Sequence, residues 1–304
     1  MPAIRASIRR HTTGLLIALA TMTGPGHGMP AAPATPGTLR VLTLNVAHGR
    51  GDALNQLLVS QKAIEGNLAA TAALLDGAKA EVVALQEADG PSRWSGGFDH
   101  VASLALLAGY PWHARSSHAT SWLFDYGTAL LSRAPVTEQR SLAFRPTPPS
   151  MTKGLTLAQI SWRPDDRAEP IPLDVISVHL DFSRDSVRQR QAAEMVAFLS
   201  QRRHPVIVLG DFNSDWFAQA SVVAELARRC GMKTYRPSAP DLGTYPSSGR
   251  RLDWVLISDE LEFTHYAVLP QLVSDHNAVV ADIRLKNARQ DAGAGTAGAG
   301  RCSG

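Results

Sequence analysis

The sequence predicts a layered α/β or α+β fold, with sheets packed on each other and helices outside. Three observations carry this. Short runs rich in Val, Ile and Leu recur along the chain at the length of strands. Several are apolar at consecutive positions, the mark of strands buried on both faces. Stretches of helical periodicity lie between some of these runs, as layered folds require. With 304 residues, 44% of them hydrophobic, the chain can fill one large core or two small ones.

From the beginning of the chain, MPAIRASIRRHTTGLLIALATMTGPGHGMPAAPATPG places Arg5, Arg9 and Arg10 before an apolar run at 14–20, then small residues and prolines. Basic, apolar and small in that order is the form of a secretory signal, so residues 1–34 are expected to be a signal peptide with its cleavage region. The run is too short to span a bilayer. Export predicts a periplasmic or extracellular protein. Without those three arginines the 30 basic residues fall to 27, against 27 acidic ones, so the net charge of +3 gives no support for a general phosphate-backbone binder.

Residues 38–286 read as one domain without linker or repeat. Strands are expected at 39–46, 82–86, 128–132, 155–161, 173–179, 206–209, 252–257, 263–269 and 278–285. Helices are expected at 67–79, 100–108, 187–201 and 218–228. The Gly/Ala-rich stretch 287–304 is expected to be a disordered tail. Of the two cysteines, Cys230 is expected to be free and buried and Cys302 to lie in that tail; no CxxC or zinc spacing exists. No obligate protein partner is evident, and a monomer is expected.

The polar residues at the strand ends carry the chemistry. VLTLNVAHG ends in Asn45, VVALQEADG in Glu87, DVISVHLDF in His179 and Asp181, and VIVLGDFNSDW in Asp211 and Asn213. RRLDWVLIS begins with Asp253, and Asp275 and His276 precede the last strand. If these ends converge they form an oxygen-rich pocket with two histidines. Asn45, Glu87 and Asp275 suit a hard octahedral ion, magnesium or manganese. Such an ion beside imidazoles and another carboxylate suits attack of water on a phosphate ester.

Taken in order, LNVAHG, LQE, GTALLSR, SVHL, GDFNS, RLDW and SDH resemble the endonuclease/exonuclease/phosphatase superfamily, the deoxyribonuclease I-like metal-dependent phosphoesterases. The resemblance implies a four-layer α/β/β/α sandwich of two mixed sheets flanked by helices. It implies Glu87 as principal metal ligand, with Asn45 and Asp275 at the metal side, and one or two Mg2+ (or Mn2+) ions. It further implies Asp211 as the acid that orients or activates water, Asn213 as a donor to phosphate, and His276 as the phosphate-contacting imidazole paired with Asp253. His179 resembles the deoxyribonuclease I and sphingomyelinase branches, as general acid or phosphate contact. The implied reaction is hydrolysis of a phosphodiester, with nucleic acid, phospholipid or a small phosphodiester as substrate. A non-catalytic binding protein on the same fold is the other class.

Other residues read two ways. Asp181 is a further site acid or the first residue of a loop. Tyr126 is a substrate neighbour or core packing, and Lys153 a site lysine or a surface one. His48 reads as a solvated loop histidine. Trp94, in 90–100, and the aromatic residues of 113–127 are expected to lie in loops that read the leaving group.

Overall fold

The computed structural model describes residues 37–164 and 169–286, with residue 302. The expected signal segment, 1–34, and the tail of 287–304 other than Cys302 lie outside the described residues. In chain order the elements are β1 (Leu39–Asn45), α1 (Gln61–Ala78), β2 (Val82–Asp89), α2 (His100–Leu107), β3 (Trp112–Thr120), β4 (Asp125–Ser132), β5 (Val136–Ala143) and β6 (Gly154–Trp162). There follow β7 (Ile171–His179), α3 (Asp185–Leu199), β8 (Val206–Asp211), α4 (Val222–Arg229), β9 (Lys233–Thr234), β10 (Asp253–Ile257), β11 (Leu261–Val268) and β12 (Val279–Leu285).

The strands form two six-stranded mixed sheets, ordered β11-β12-β1-β2-β4-β3 and β5-β6-β7-β8-β10-β9. The doubly apolar runs explain the layering. On β1, Leu39 and Val41 enter the core between the sheets, while Leu42 and Leu44 pack beneath α1 and α2. On β8, Ile207 and Leu209 face the other sheet, and Val206 and Val208 pack beneath α3 and α4. Each such side chain contributes about 1.5–3 kcal/mol by leaving water. A one-residue slip would exchange the two faces, so burial on both sides fixes the register. The four-layer sandwich implied by the resemblance is therefore present.

Three strands were not expected, of which β9 is a two-residue sheet edge. β3 and β5 are polar because each is a sheet edge, where one face meets water and charged side chains discourage further pairing. Most of 113–127 is consequently β3 and the start of β4, not a specificity loop. α1 begins before its apolar period because the Ser60 side chain accepts from the Ala63 amide and caps it. The expectation of a free Cys230 is also corrected. Cys230, which ends α4, is bonded to Cys302, and both pack at the core beneath α3 and α4. Export-compatible chemistry thus ties residue 302 back to the domain.

Gly210 shows how the backbone prepares the site. Its φ is +149°, and a Cβ there would lie 2.1 Å from the Val178 carbonyl oxygen. Only glycine lets β8 approach β7 this closely just before Asp211. Gly210→Ala should therefore lower stability by at least ~2 kcal/mol, read as the denaturant midpoint. An unchanged midpoint would show that the strands separate without cost.

Candidate functional site

The alternation that builds the inter-sheet core also delivers the site. Val41 and Thr43 are followed two residues later by Asn45, Ile207 and Leu209 by Asp211, and Val175 and Ser177 by His179. β7 and β8 run parallel and set His179 opposite Asp211. β10 runs antiparallel, so its first residue, Asp253, pairs with Asp211 from the other side. A polar layer lies below. Thr43 donates to the Gln86 side chain at 3.2 Å, Gln86 to Ser177 at 3.0 Å, and Ser177 to the Leu85 carbonyl at 2.9 Å. These bonds join the sheets where the dry core gives way to the cleft.

Glu87 reaches the cleft by a β-bulge. The β2–β4 register shifts between Gln86 and Ala88, and Glu87 has φ +50°. A bulge re-aims one side chain, and a left-handed non-glycine residue at such a point is strain held by its surroundings. The cleft, of about 370 Å³, is lined by Asn45, Glu87, Asp275 and His276 on one side and by His179, Asp211 and Asn213 on the other.

Asp211 is the hub. Its Oδ2 accepts from Asn45 Nδ2 at 3.1 Å and faces His179 Nε2 at 3.5 Å and His276 Nε2 at 3.9 Å; its Oδ1 accepts from the Asn213 amide at 2.9 Å. Burial, with nearby Asp253 adding to it, carries the Asp211 carboxyl up to about 7, against the opposing pull of His276. His276 Nδ1 lies 2.8 Å from Asp253 Oδ2, which also accepts from Thr244 Oγ1 at 2.6 Å. Burial alone would lower the His276 pKa, but Asp253 and Asp211 reverse this and carry it up to about 10. His276 is thus an imidazolium held in one orientation at neutral pH.

Glu87 has the opposite environment from Asp211. Burial pushes its carboxyl up, but the charges around it, His48 and Lys153 foremost, outweigh burial and hold it well below the usual carboxylate range. His48 Nε2 lies 3.2 Å from Glu87 Oε2, and its Nδ1 lies 2.9 Å from Asp89 Oδ1. Asp89 in turn accepts from Trp94 Nε1 at 2.8 Å and Ser95 Oγ at 2.5 Å. The expectation of a solvated loop histidine is therefore corrected: His48 is largely enclosed and braces Glu87.

The donor set fits a hard cation. Glu87 presents an ionised carboxylate to the cleft, and Asp275 stands at its edge, where Arg50 donates to it at 2.6 Å. Asn45 Oδ1 accepts from the Ala47 amide at 3.0 Å, which leaves it one lone pair, and its NH2 faces Asp211. Ligand atoms of Asp211, Asp253 and His276 also lie within 4.8 Å of one another, and Asp253 Oδ1 is buried without a hydrogen-bond partner among the described residues. A cation could bridge those carboxylates, although the His276 imidazolium already supplies positive charge there.

Several expected site residues lie elsewhere. Tyr126 is buried, with its hydroxyl on the Thr152 carbonyl, and so is core packing. Lys153 is buried behind His179, neither on the surface nor in the cleft. Trp94 packs on Phe124 and His48, donates to Asp89, and does not line the cleft. Asp181 is past the end of β7. Its Oδ1 accepts from the Ser183 and Arg184 amides, so it shapes the loop into α3. The Asn213 side-chain Nδ2 donates to the Leu180 carbonyl at 3.1 Å, which holds the GDFN turn. Conversely, Phe182, Tyr245, Ser248 and Arg250 line the cleft and were not singled out. The turn PSSG preceding RRLDW was the available signal.

Residues 42–276 match the sequence family described as Endonuclease/Exonuclease/phosphatase family. No curated protein matches the chain in sequence. Among solved structures, an endonuclease/exonuclease/phosphatase from Beutenbergia cavernae has 18% identity and a TM-score of 0.64, covering 83% of this chain and 72% of its own. The human Nocturnin catalytic domain with bound sulfate anion has 15% identity and a TM-score of 0.62, over 84% of this chain and 97% of that one. Sphingomyelinase C from Streptomyces griseocarneus has 18% identity and a TM-score of 0.55, over 81% and 99%. At these identities the likeness is one of fold.

Proposed function

The chain belongs to the endonuclease/exonuclease/phosphatase family of metal-dependent phosphoesterases and nucleases, and from that premise we propose that it hydrolyses a phosphodiester by in-line attack of water. The observation that carries this reading is the convergence of Glu87, His179, Asp211, Asp275 and His276 on one cleft. Asp211 sits where it can accept a proton from the attacking water, and its raised pKa suits a base near neutrality. The His276 imidazolium, oriented by Asp253, donates to a phosphoryl oxygen as charge builds on it. Glu87 and Asp275, with the remaining lone pair of Asn45 Oδ1, would hold magnesium or manganese, as one or two ions. Such an ion neutralises phosphoryl charge.

Among phosphodiesters we favour one with an apolar substituent. Phe182 lines the cleft while 67% exposed, and Leu272, three residues before Asp275, is 61% exposed. The near balance of charge outside the first residues supports the same preference over a general nuclease. We further propose that the protein acts outside the cytoplasm as a monomer; the Cys230–Cys302 bond supports an oxidising compartment.

The test is a substrate screen of purified protein on DNA, RNA, sphingomyelin, phosphoinositides and nucleotides, with magnesium or manganese and with chelator. Metal-dependent hydrolysis of a phosphodiester is expected, with sphingomyelin or phosphoinositide ahead of DNA. Hydrolysis of none of them, with Glu87→Gln behaving like wild type, would overturn the proposal.

A further inference from the structure

Lys153 stands immediately before β6, whose first residue, Gly154, pairs with His179 across the β6–β7 ladder. The side chain is buried. Its Nζ lies 3.4 Å from His179 Nδ1 and 5.2 Å from the centre of the Tyr126 ring. Burial lowers the Lys153 pKa from its ordinary value, while the charges of Glu87, Asp211 and Asp181 oppose that and the Tyr126 ring face lies beside the ammonium.

An ammonium has three N–H donors and no lone pair. The nitrogen that faces it must therefore be an acceptor. A neutral imidazole has one acceptor nitrogen and one N–H, so an acceptor at Nδ1 puts the proton on Nε2. Nε2 is the nitrogen that faces Asp211 Oδ2 at 3.5 Å and Glu87 Oε1 at 3.9 Å across the cleft.

We propose that Lys153 is a positioning residue that locks His179 in the Nε2–H tautomer, making His179 a fixed hydrogen-bond donor to a phosphoryl oxygen. The donor role rests on the phosphoesterase reading; the tautomer itself does not. An Nδ1 that accepts from the ammonium carries no proton of its own, so the ring in this contact is neutral. The two histidines then divide the work: His276 brings charge, while His179 brings a neutral N–H of fixed direction. Neither could be exchanged for the other, because one ring nitrogen of His276 meets a carboxylate where that of His179 meets an ammonium.

Nitrogen-15 spectra of the histidine rings in the full chain test this directly, with His179 assigned by its loss in His179→Gln. Wild type should show the Nε2–H pattern at His179. Lys153→Met, which keeps the length and removes the donor, should change it to a mixture of tautomers. It should also lower kcat by about 10–100-fold, with KM within about threefold, as for a weakened transition-state donor. His179→Gln, whose amide can place a donor near the Nε2 position, should retain more activity than His179→Asn. An Nδ1–H pattern in wild type would overturn the proposal, even if Lys153→Met failed to fold. So would an unchanged pattern in Lys153→Met. If the spectra follow expectation while no phosphoester is hydrolysed, the tautomer lock stands and the functional reading falls.

Discussion

Asp211→Asn is expected to fold and to lose turnover by about 10²–10⁴-fold, the range of a positioned general base. The amide keeps the shape, and its oxygen can still accept from the Asn213 amide. What is lost is the lone pair that takes the proton from water. In metal-free protein the substitution should also gain stability relative to wild type as pH rises. The folded pKa of Asp211 is raised to about 7 by burial and by Asp253, well above the carboxylate value of the unfolded chain. The native state therefore binds more protons than the unfolded state between about pH 4 and 7, and wild-type stability falls as pH rises through that window. Asparagine has no carboxyl to ionise and lacks this pH-dependent loss; the contact of its NH2 with the Asn45 NH2 is a cost that does not change with pH. Thermal unfolding in chelator should show the Tm of Asp211→Asn minus that of wild type growing from pH 5 to pH 8. A difference that shrinks over that range would mean that the site stabilises the Asp211 anion, contrary to its surroundings.

Glu87→Gln should have the opposite signature. Its folded pKa is depressed, because the charges around it, His48 and Lys153 foremost, outweigh burial. A depressed carboxyl contributes stability above its unfolded pKa, and that contribution is lost as pH falls through the folded pKa. The variant should therefore unfold at lower temperature than wild type near neutrality, and the gap should close in acid. Turnover should fall about a thousandfold, the equivalent of roughly 4 kcal/mol of lost charge stabilisation. Calorimetric titration with magnesium or manganese should show much weaker binding, since the main anionic oxygens of the cleft have gone. Unchanged metal affinity would move the cation to Asp211, Asp253 and His276, whose ligand atoms lie within 4.8 Å of one another. Two buried carboxylates in one cleft, replaced by their amides, are thus expected to show opposite pH trends in stability relative to wild type.

Much of the site was determined by local pattern. In VIVLGDFNSDW the doubly apolar run specifies a strand buried on both faces, and period two then fixes which face Asp211 continues. The same reasoning holds for Asn45 and His179, and for Asp253 at the start of its strand. These are relations between residues two apart, which the pleat alone dictates. Glu87 was legible as a polar residue beyond an apolar run, but the bulge that aims it depends on pairing with β4.

The remainder was decided by the tertiary structure. His48 meets Asp89, 41 residues away, and Arg50 meets Asp275, 225 residues away. Cys230 finds Cys302 across 72 residues. β3 and β5 lack an apolar signature because they pair on one side only and keep a wet face. Lys153 could be read as a surface lysine because nothing in TKGLTL announces a ring face and an imidazole waiting in the interior. The sequence by itself determined the layered sheets and the polar ends they deliver, because side-chain alternation is a property of each strand. Which charges meet, and therefore which carboxylate is raised, which is depressed and which histidine is locked, was decided only when the two sheets faced each other, because electrostatic environments depend on distances that no single strand contains.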